Sequence, residues 1–379
     1  MPWKAQDIMS LKQEFVLLAT QQGANRRELC RRFEISPQTG YKWLQRFAQE
    51  GMPGLQERSR KPASSPAISP AELERDVVAL RQRHPAWGGR KISRRLQDLG
   101  KAQVAPSTVT AILHRHGLIS AQASEAASHW TRFERDEPNA LWQVDFKGHF
   151  ETAQGRCLPL TVIDDHSRFN LTLHACDRAT TAVVQGQMQR VFGMYGLPVQ
   201  INFDNGAPWG SPKAPGQLTE LGVWLIRLGI VVSHSRPYHP QTNGKDERFH
   251  RSLDAEVLKG RSFESLAKVQ AALDRWRAIY NHERPHQALQ MATPITRYRP
   301  SARRLPERLG EPEYASGDEV RMVGCNGELR FRSGRYKVTN ALRGHRVAIR
   351  AHQQHDGLFE VFFAHHRCLT IDLRHAQDV

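Results

Sequence analysis

Long apolar runs are missing from the sequence. The longest stretch, Gly222 to Val232, contains Arg227 and falls well short of the roughly 20 residues a membrane-spanning helix needs. Met1 to Phe15 carries Lys4, Asp7, Lys12 and Glu14 and has no uninterrupted apolar core, so it does not read as a secretory signal. The expectation is a soluble, cytoplasmic protein with no membrane partner. Cysteine is scarce: Cys30, Cys157, Cys176, Cys325 and Cys368 are odd in number, widely scattered, and form no Cys-x-x-Cys pair. That excludes a zinc ribbon or finger, so no zinc is expected, and it fits a reducing compartment. Acid is in deficit as well. Lys and Arg total 54 against 38 Asp and Glu, a net charge of +16, which points to a polyanion such as nucleic acid. An acidic membrane surface would also match that charge.

What is present divides the chain. A length of 379 residues exceeds one compact core, so several modules are expected. Residues 1–56 read as an all-α helix-turn-helix module. Phe15, Val16, Leu18 and Ala19 recur at helical spacing, Arg26 to Phe33 forms a second amphipathic segment, and Ser36-Pro37 supplies a cap and a first-turn proline for a third helix through Trp43, Leu44 and Phe47. A Ser-, Pro- and Arg-rich linker, 57–70, follows. Residues 71–120 repeat the theme as a second helix-turn-helix, with helices at Ala71 to Arg83, Gly89 to Leu99 and one opened by Ser107. A second linker spans 121–137.

From Ala140 the apolar period becomes that of strands. Leu141 to Phe146, Cys157 to Ile163 and Phe169 to His174 precede alternating helices and strands: Thr180 to Tyr195, Pro198 to Phe203, Gln217 to Leu228, Ile230 to Ser233 and Gly244 to Leu258. This order predicts an α/β sandwich on a mixed five-stranded sheet, with a helical extension completing a core at 138–300. Short strands with glycine turns over 315–375 predict a small β-barrel.

Three acids stand out on these elements. Trp142, Val144 and Phe146 share one strand face, leaving Asp145 on the other with Gln143 and Lys147. Asp204 closes a strand and precedes the turn Asn205-Gly206, at the end where open α/β sheets place their sites. On the last helix Asp246 falls on the buried stripe of Phe249, Leu253 and Val257, whereas Glu247 joins His250, Arg251 and Asp254, so Glu247 is the open candidate. Asp246 then favours the helix dipole. Singly, each acid has an ordinary reading as a turn former or a solvated side chain, and Asp164 and Asp165 read as hairpin-turn residues. Together on one domain of a basic protein, the three suit hard cations such as Mg²⁺, two of which can serve displacement at phosphorus.

The strings Trp142-Gln143-Val144-Asp145-Phe146, Val162-Ile163-Asp164-Asp165-His166-Ser167-Arg168, Phe203-Asp204-Asn205-Gly206 and Arg236 through Arg248, with Asn281-x-x-Arg284-Pro285-His286 and Thr293-Pro294 after them, resemble bacterial insertion-sequence transposases of the retroviral-integrase superfamily. The resemblance implies a ribonuclease H-like core with Asp145, Asp204 and Glu247 as catalytic, metal-holding acids. It implies Mg²⁺, with Mn²⁺ as a substitute, and no nucleotide cofactor. It further implies double-stranded DNA partners (terminal inverted repeats and target DNA), a homo-oligomer in a synaptic complex, and a bacterial cytoplasm, on the nucleoid when bound to DNA. The interval from Asp204 to Glu247 is longer than in many relatives, and the excess fits a loop from Trp209 to Gly216. Candidate DNA contacts are Gln38, Thr39 and Lys42 on the first module's third helix, and Arg90, Lys91, Arg94 and Arg95 on the second module. A DNA-binding protein without catalysis and a simple nuclease are the rival readings. Three converging acids argue against the first, and two sequence-reading modules against the second.

Overall fold

Capping and proline signals in the sequence become helix starts in a computed structural model, which describes residues 8–58, 69–119, 134–210, 218–235 and 244–374. The linkers, the loop after Trp209 and the string Arg236 to Asn243 fall largely or wholly outside these residues. Two compact units divide at Ser69. In the first, α1 (Ile8–Ala19), α2 (Arg26–Arg32) and α3 (Pro37–Glu50) enclose Phe15, Val16, Ala19, Cys30, Trp43 and Leu55. The Asn25 side chain accepts from the Glu28 amide and Ser36 from the Thr39 amide, satisfying donors that a helix start leaves unpaired.

The second unit opens with α4 (Ala71–Arg83), α5 (Gly89–Asp98) and α6 (Pro106–Arg115), packed around Val77, Trp87, Ile92, Leu96, Val109 and Ile112. The third of these helices starts one residue before Ser107, because Pro106 is already preset for a first turn. The sheet follows. β1 (Leu141–Phe146), β2 (Phe150–Thr152), β3 (Gly155–Asp164) and β4 (Asn170–Cys176) are antiparallel neighbours through β3. Then come α7 (Thr181–Tyr195), β5 (Gln200–Phe203), α8 (Glu220–Arg227) and β6 (Val231–His234), with β5 parallel to both β1 and β6. The sheet is mixed as expected but has six strands instead of five. The additional strand, β2, is three residues long, too short for a periodic signal.

Strand alternation assigns the two faces. Trp142, Val144, Leu160 and Val162 pack with α7 and α8 through Val184, Met188, Phe192, Leu221 and Leu225. On the opposite face Cys157, Ile163 and Leu173 meet α9 (Gly244–Leu253) and α10 (Leu266–His282) through Phe249, Leu253, Leu273, Trp276 and Tyr280. The expected helix to Leu258 loosens into one π turn over Asp254–Leu258. Among the described residues no helix is long and apolar enough to cross a membrane.

The C-terminal strands are β7 (Glu319–Met322), β8 (Glu328–Phe331), β9 (Gly334–Lys337), β10 (Arg346–Ala351), β11 (Leu358–Phe363) and β12 (His366–Asp372). Here the barrel expectation is corrected. The strands form an open sheet in the order β12-β11-β10-β7, with β8 and β9 as a separate hairpin. Phe331 of the hairpin packs on Phe359, ring centroids 4.9 Å apart, in place of a hydrogen-bonded ladder. Val323, Leu329, Val347, Val361 and Phe363 share one apolar cluster with Leu218, Val223 and Trp224, so packing against the α8 region buries the sheet's apolar face without closure.

Candidate active site

Register brings the first two acids together. Leu141 pairs with Gln200 and Gln143 with Asn202 along parallel β1 and β5. Continuing that register by two residues sets Asp145 beside Asp204, one residue before the end of β1 and one residue past the end of β5. The Asp204 carboxylate accepts from the Gly206 amide at 3.0 Å. A side chain at Gly206 would crowd it, since a Cβ there would stand 3.1 Å from Asp204 Oδ2. Glu247 lies on the first turn of α9, exposed, next to exposed Arg248.

The electrostatics link Asp145 to both of the other acids. Burial, then the charge of Asp204, and more weakly that of Glu247, push the Asp145 carboxyl up to about 7. Asp145 Oδ1 accepts its neighbour Phe146 amide at 2.8 Å, which opposes the shift only in part. His250, one turn beyond Glu247, aims Nδ1 at Asp145 Oδ2 across 3.9 Å. Its Nε2 lies 3.0 Å from Thr161 Oγ1, whose hydroxyl donates to the Asp145 carbonyl. With that hydroxyl proton committed, the ring donates from Nε2, and burial holds it neutral, down to about 4.

Hard, mutually repelling carboxylate oxygens are the donor chemistry that favours a divalent cation such as Mg²⁺. The fit is one of charge and donor type. Among the described residues no group of three or more His, Cys, Asp and Glu side chains is placed to hold a metal ion.

Asp246 faces inward with Phe249 and Leu253, 1% exposed, and among the described residues no donor reaches either oxygen. Sequence reasoning missed a further group. Asp164 is a turn former, accepting from the Asn139 and Ser167 amides and the Ser167 hydroxyl, but Asp165 is not. It is 1% exposed and takes donors from Arg135, Gln143 and Lys245. The period-2 face shared by Gln143 and Asp145 was the available signal for one of these partners.

The candidate DNA contacts lie on both units. Gln38 and Lys42 are exposed on α3, while Thr39 is tied to Ser36. On α5, Arg90 is exposed and Arg94 pairs with Asp98 at 2.7 Å. Arg95 reaches Glu283 at the end of α10 at 2.5 Å, and Ile279 of α10 packs on the same helical module. Lys91 is half-buried and feels Arg284, Glu256 and Arg248. The four cations of α5 therefore do not present a single exposed face.

Comparison with known families matches an Integrase core domain over residues 135–240 and again over 228–294. A Helix-turn-helix domain matches 11–63, a Homeodomain-like domain 39–113, and the IS481 family transposase C-terminal domain 318–379. The insertion element IS407 uncharacterized 31.7 kDa protein of Burkholderia multivorans (strain ATCC 17616 / 249) is 26% identical over 157 residues, 41% of this chain and 54% of that protein. The insertion element IS476 uncharacterized 39.2 kDa protein of Xanthomonas euvesicatoria is 28% identical over 149 residues, 39% of this chain and 41% of that protein. The chain thus spans about half the length of these relatives. A chain of the simian T-cell lymphotropic virus intasome in complex with PP2A regulatory subunit B56 gamma aligns over 78% of this chain and 95% of that one, at 17% identity and a TM-score of 0.40, a likeness too distant to carry an argument.

Proposed function

The chain belongs to the insertion-sequence transposases of the retroviral-integrase superfamily, and on that premise we propose that it binds terminal inverted repeats, cleaves the DNA ends and transfers the 3′-OH to target DNA. The observation that carries the reading is the strand register that sets Asp145 beside Asp204, with Glu247 within electrostatic reach. Mg²⁺, with Mn²⁺ as a substitute, would be held by Asp145, Asp204 and Glu247 and would supply the charge that activates the attacking oxygen and stabilises the leaving one.

The chain's own residues do the rest. Neutral His250 and Thr161 brace β1 behind Asp145, and the Gly206 amide orients Asp204. Exposed Arg248 and Arg251, flanking Glu247 on α9, suit the phosphates of an incoming strand. In the proposed arrangement helical modules at 1–56 and 71–120 read the repeats, through Gln38, Thr39 and Lys42 at base edges and Arg90, Lys91, Arg94 and Arg95 at phosphates. The core at 138–300 performs the chemistry, and two or more copies pair the ends. Neither rival reading needs this convergence of acids together with two DNA-reading modules.

The test is cleavage of a labelled duplex bearing the inverted repeat that flanks the gene, with Mg²⁺ and with EDTA, beside a mobility shift. Asp145→Asn, Asp204→Asn and Glu247→Gln should each reduce cleavage and transfer to background while leaving binding largely intact. Asp246→Asn should stay active, because an amide preserves the shape of a buried carboxyl that no donor among the described residues reaches. Normal cleavage by Glu247→Gln with a dead Asp246→Asn would reverse the third assignment, and cleavage in EDTA would remove the metal.

A further inference from the structure

We infer that Asp165 is a positioning residue whose carboxylate clamps β1 to α9 and thereby fixes Asp145 and Glu247 relative to one another. The inference rests on the active-site reading above. Asp165 lies in the turn after β3, where its neighbour Asp164 already accepts from the Ser167 amide of the turn and from the Asn139 amide. Its own donors come from positions 30, 22 and 80 residues away in the chain. Oδ2 accepts the Arg135 amide at 2.9 Å, and Oδ1 accepts both Gln143 Nε2, at 2.9 Å, and Lys245 Nζ. None of these donors belongs to the turn itself.

The two partners on Oδ1 are what give the clamp its meaning. Gln143 stands two residues before Asp145 on the same strand face, and Lys245 two residues before Glu247 on the first turn of α9. One oxygen therefore joins the segment that carries the first acid to the segment that carries the third. The turn itself is held to β1, since the Asp165 amide donates to the Leu141 carbonyl at 2.9 Å.

A second tie from α9 to β1, neutral His250 beside Asp145 and Thr161, stands one turn farther along the helix. Lys147 meets Asp254 at 3.2 Å, but Asp254 is half-exposed and lies past the helix's last turn, where solvent screens the pair. The Lys245–Asp165 pair has side chains only 18% and 1% exposed. A buried ion pair persists only when its remaining lone pairs are filled, and Gln143 and Arg135 fill them. Removing either partner leaves the other charge buried and frees the helical turn that holds Glu247.

The experiment uses the full chain with Lys245→Met, which keeps the apolar stem and loses the ammonium. Single-turnover cleavage of the repeat duplex at saturating DNA should fall by about tenfold or more, because small displacements of reacting groups are costly. The KM for duplex should stay within about twofold, and Lys245→Arg should recover most of the rate. Mn²⁺ binding to the DNA-free protein, read by electron paramagnetic resonance, should weaken severalfold. Asp165→Asn should behave alike, and the double variant should be no worse than the poorer single, since both remove one tie. Should Asp165→Asn fail to fold, the Lys245 variants decide alone. A wild-type rate and Mn²⁺ affinity in Lys245→Met overturns the clamp, and so does a raised KM at unchanged kcat, which would make Lys245 a DNA contact. Asp145→Asn separates the two levels: if it cleaves, the active-site reading falls, whereas a dead Asp145→Asn beside a fully active Lys245→Met removes the clamp only.

Discussion

Lys91 occupies a position that folding alone does not favour. Burial, reinforced by Arg284 and Arg248 and opposed by Glu256, holds its ammonium down at about 7. In the unfolded chain the same group keeps its proton up to about pH 10. Between these values the unfolded state binds more protons than the folded one, so this group's contribution to stability rises with pH and is least favourable near neutrality. Lys91→Met, which keeps the apolar length, should therefore raise the melting temperature by a few degrees at pH 7, with a smaller gain near about pH 10. If Lys91 also meets DNA phosphate, the same variant should bind duplex more weakly and with a shallower salt dependence. A melting temperature lowered equally at both pH values would refute the first expectation. Unchanged binding at every salt concentration would refute the second.

At the scale of elements, two glycines decide how closely the N-terminal helices cross. A Cβ at Gly40 of α3 would stand 2.6 Å from Cys30 Sγ and 2.9 Å from Phe15 Cζ, and one at Gly89 of α5 would stand 2.6 Å from the Pro106 carbonyl oxygen. Alanine in a helix interior ordinarily gains about 1 kcal/mol over glycine, whereas overpacking a core costs about 1–3 kcal/mol. The steric term wins at Gly40. Gly40→Ala should lower the stability of the first unit in urea denaturation and weaken specific DNA binding. Gly193→Ala in α7, where nothing lies within 4 Å, should stabilise instead. Stabilisation at both positions would mean that α3 is not held in this close approach. The same scale explains what could be read beforehand. Ser36-Pro37, the strand-end position of Asp204 and the opposed faces of Asp246 and Glu247 depend on residues within a turn or a strand of one another, and local periodicity carries them. The Asp165 clamp joins residues 80 apart, and β2 exists only through its pairing with β3. Neither leaves a local pattern, so Asp165 reads as half of a turn doublet.

For the whole molecule, the question is what the C-terminal sheet does for the catalytic core. Glycine turns and short strands suggest a separable module whose loss would spare the rest. The packing argues otherwise: residues of the sheet and of the hairpin continue the apolar cluster of α7, α8 and the central sheet. The connecting strap is also tied down. Arg303 donates to the Leu228 and Gly229 carbonyls past the end of α8, and Arg227 donates to the Leu309 and Gly310 carbonyls. Thr339 Oγ1 donates to the Leu218 carbonyl at 3.1 Å. Exposing Leu218, Val223 and Trp224 would forfeit about 1.5–3 kcal/mol each, which together approaches the roughly 5–15 kcal/mol that a whole domain possesses. A chain ending at Pro312 should therefore lose cleavage and transfer alike, unfold at lower temperature and be cut by protease within the core. The first unit has its own core around Phe15, Val16, Trp43 and Leu55 and should keep its fold. Melting curves, limited proteolysis and the cleavage assay on the truncated chain decide the matter. Undiminished end cleavage together with an unchanged core melting temperature would make the sheet a separate module after all.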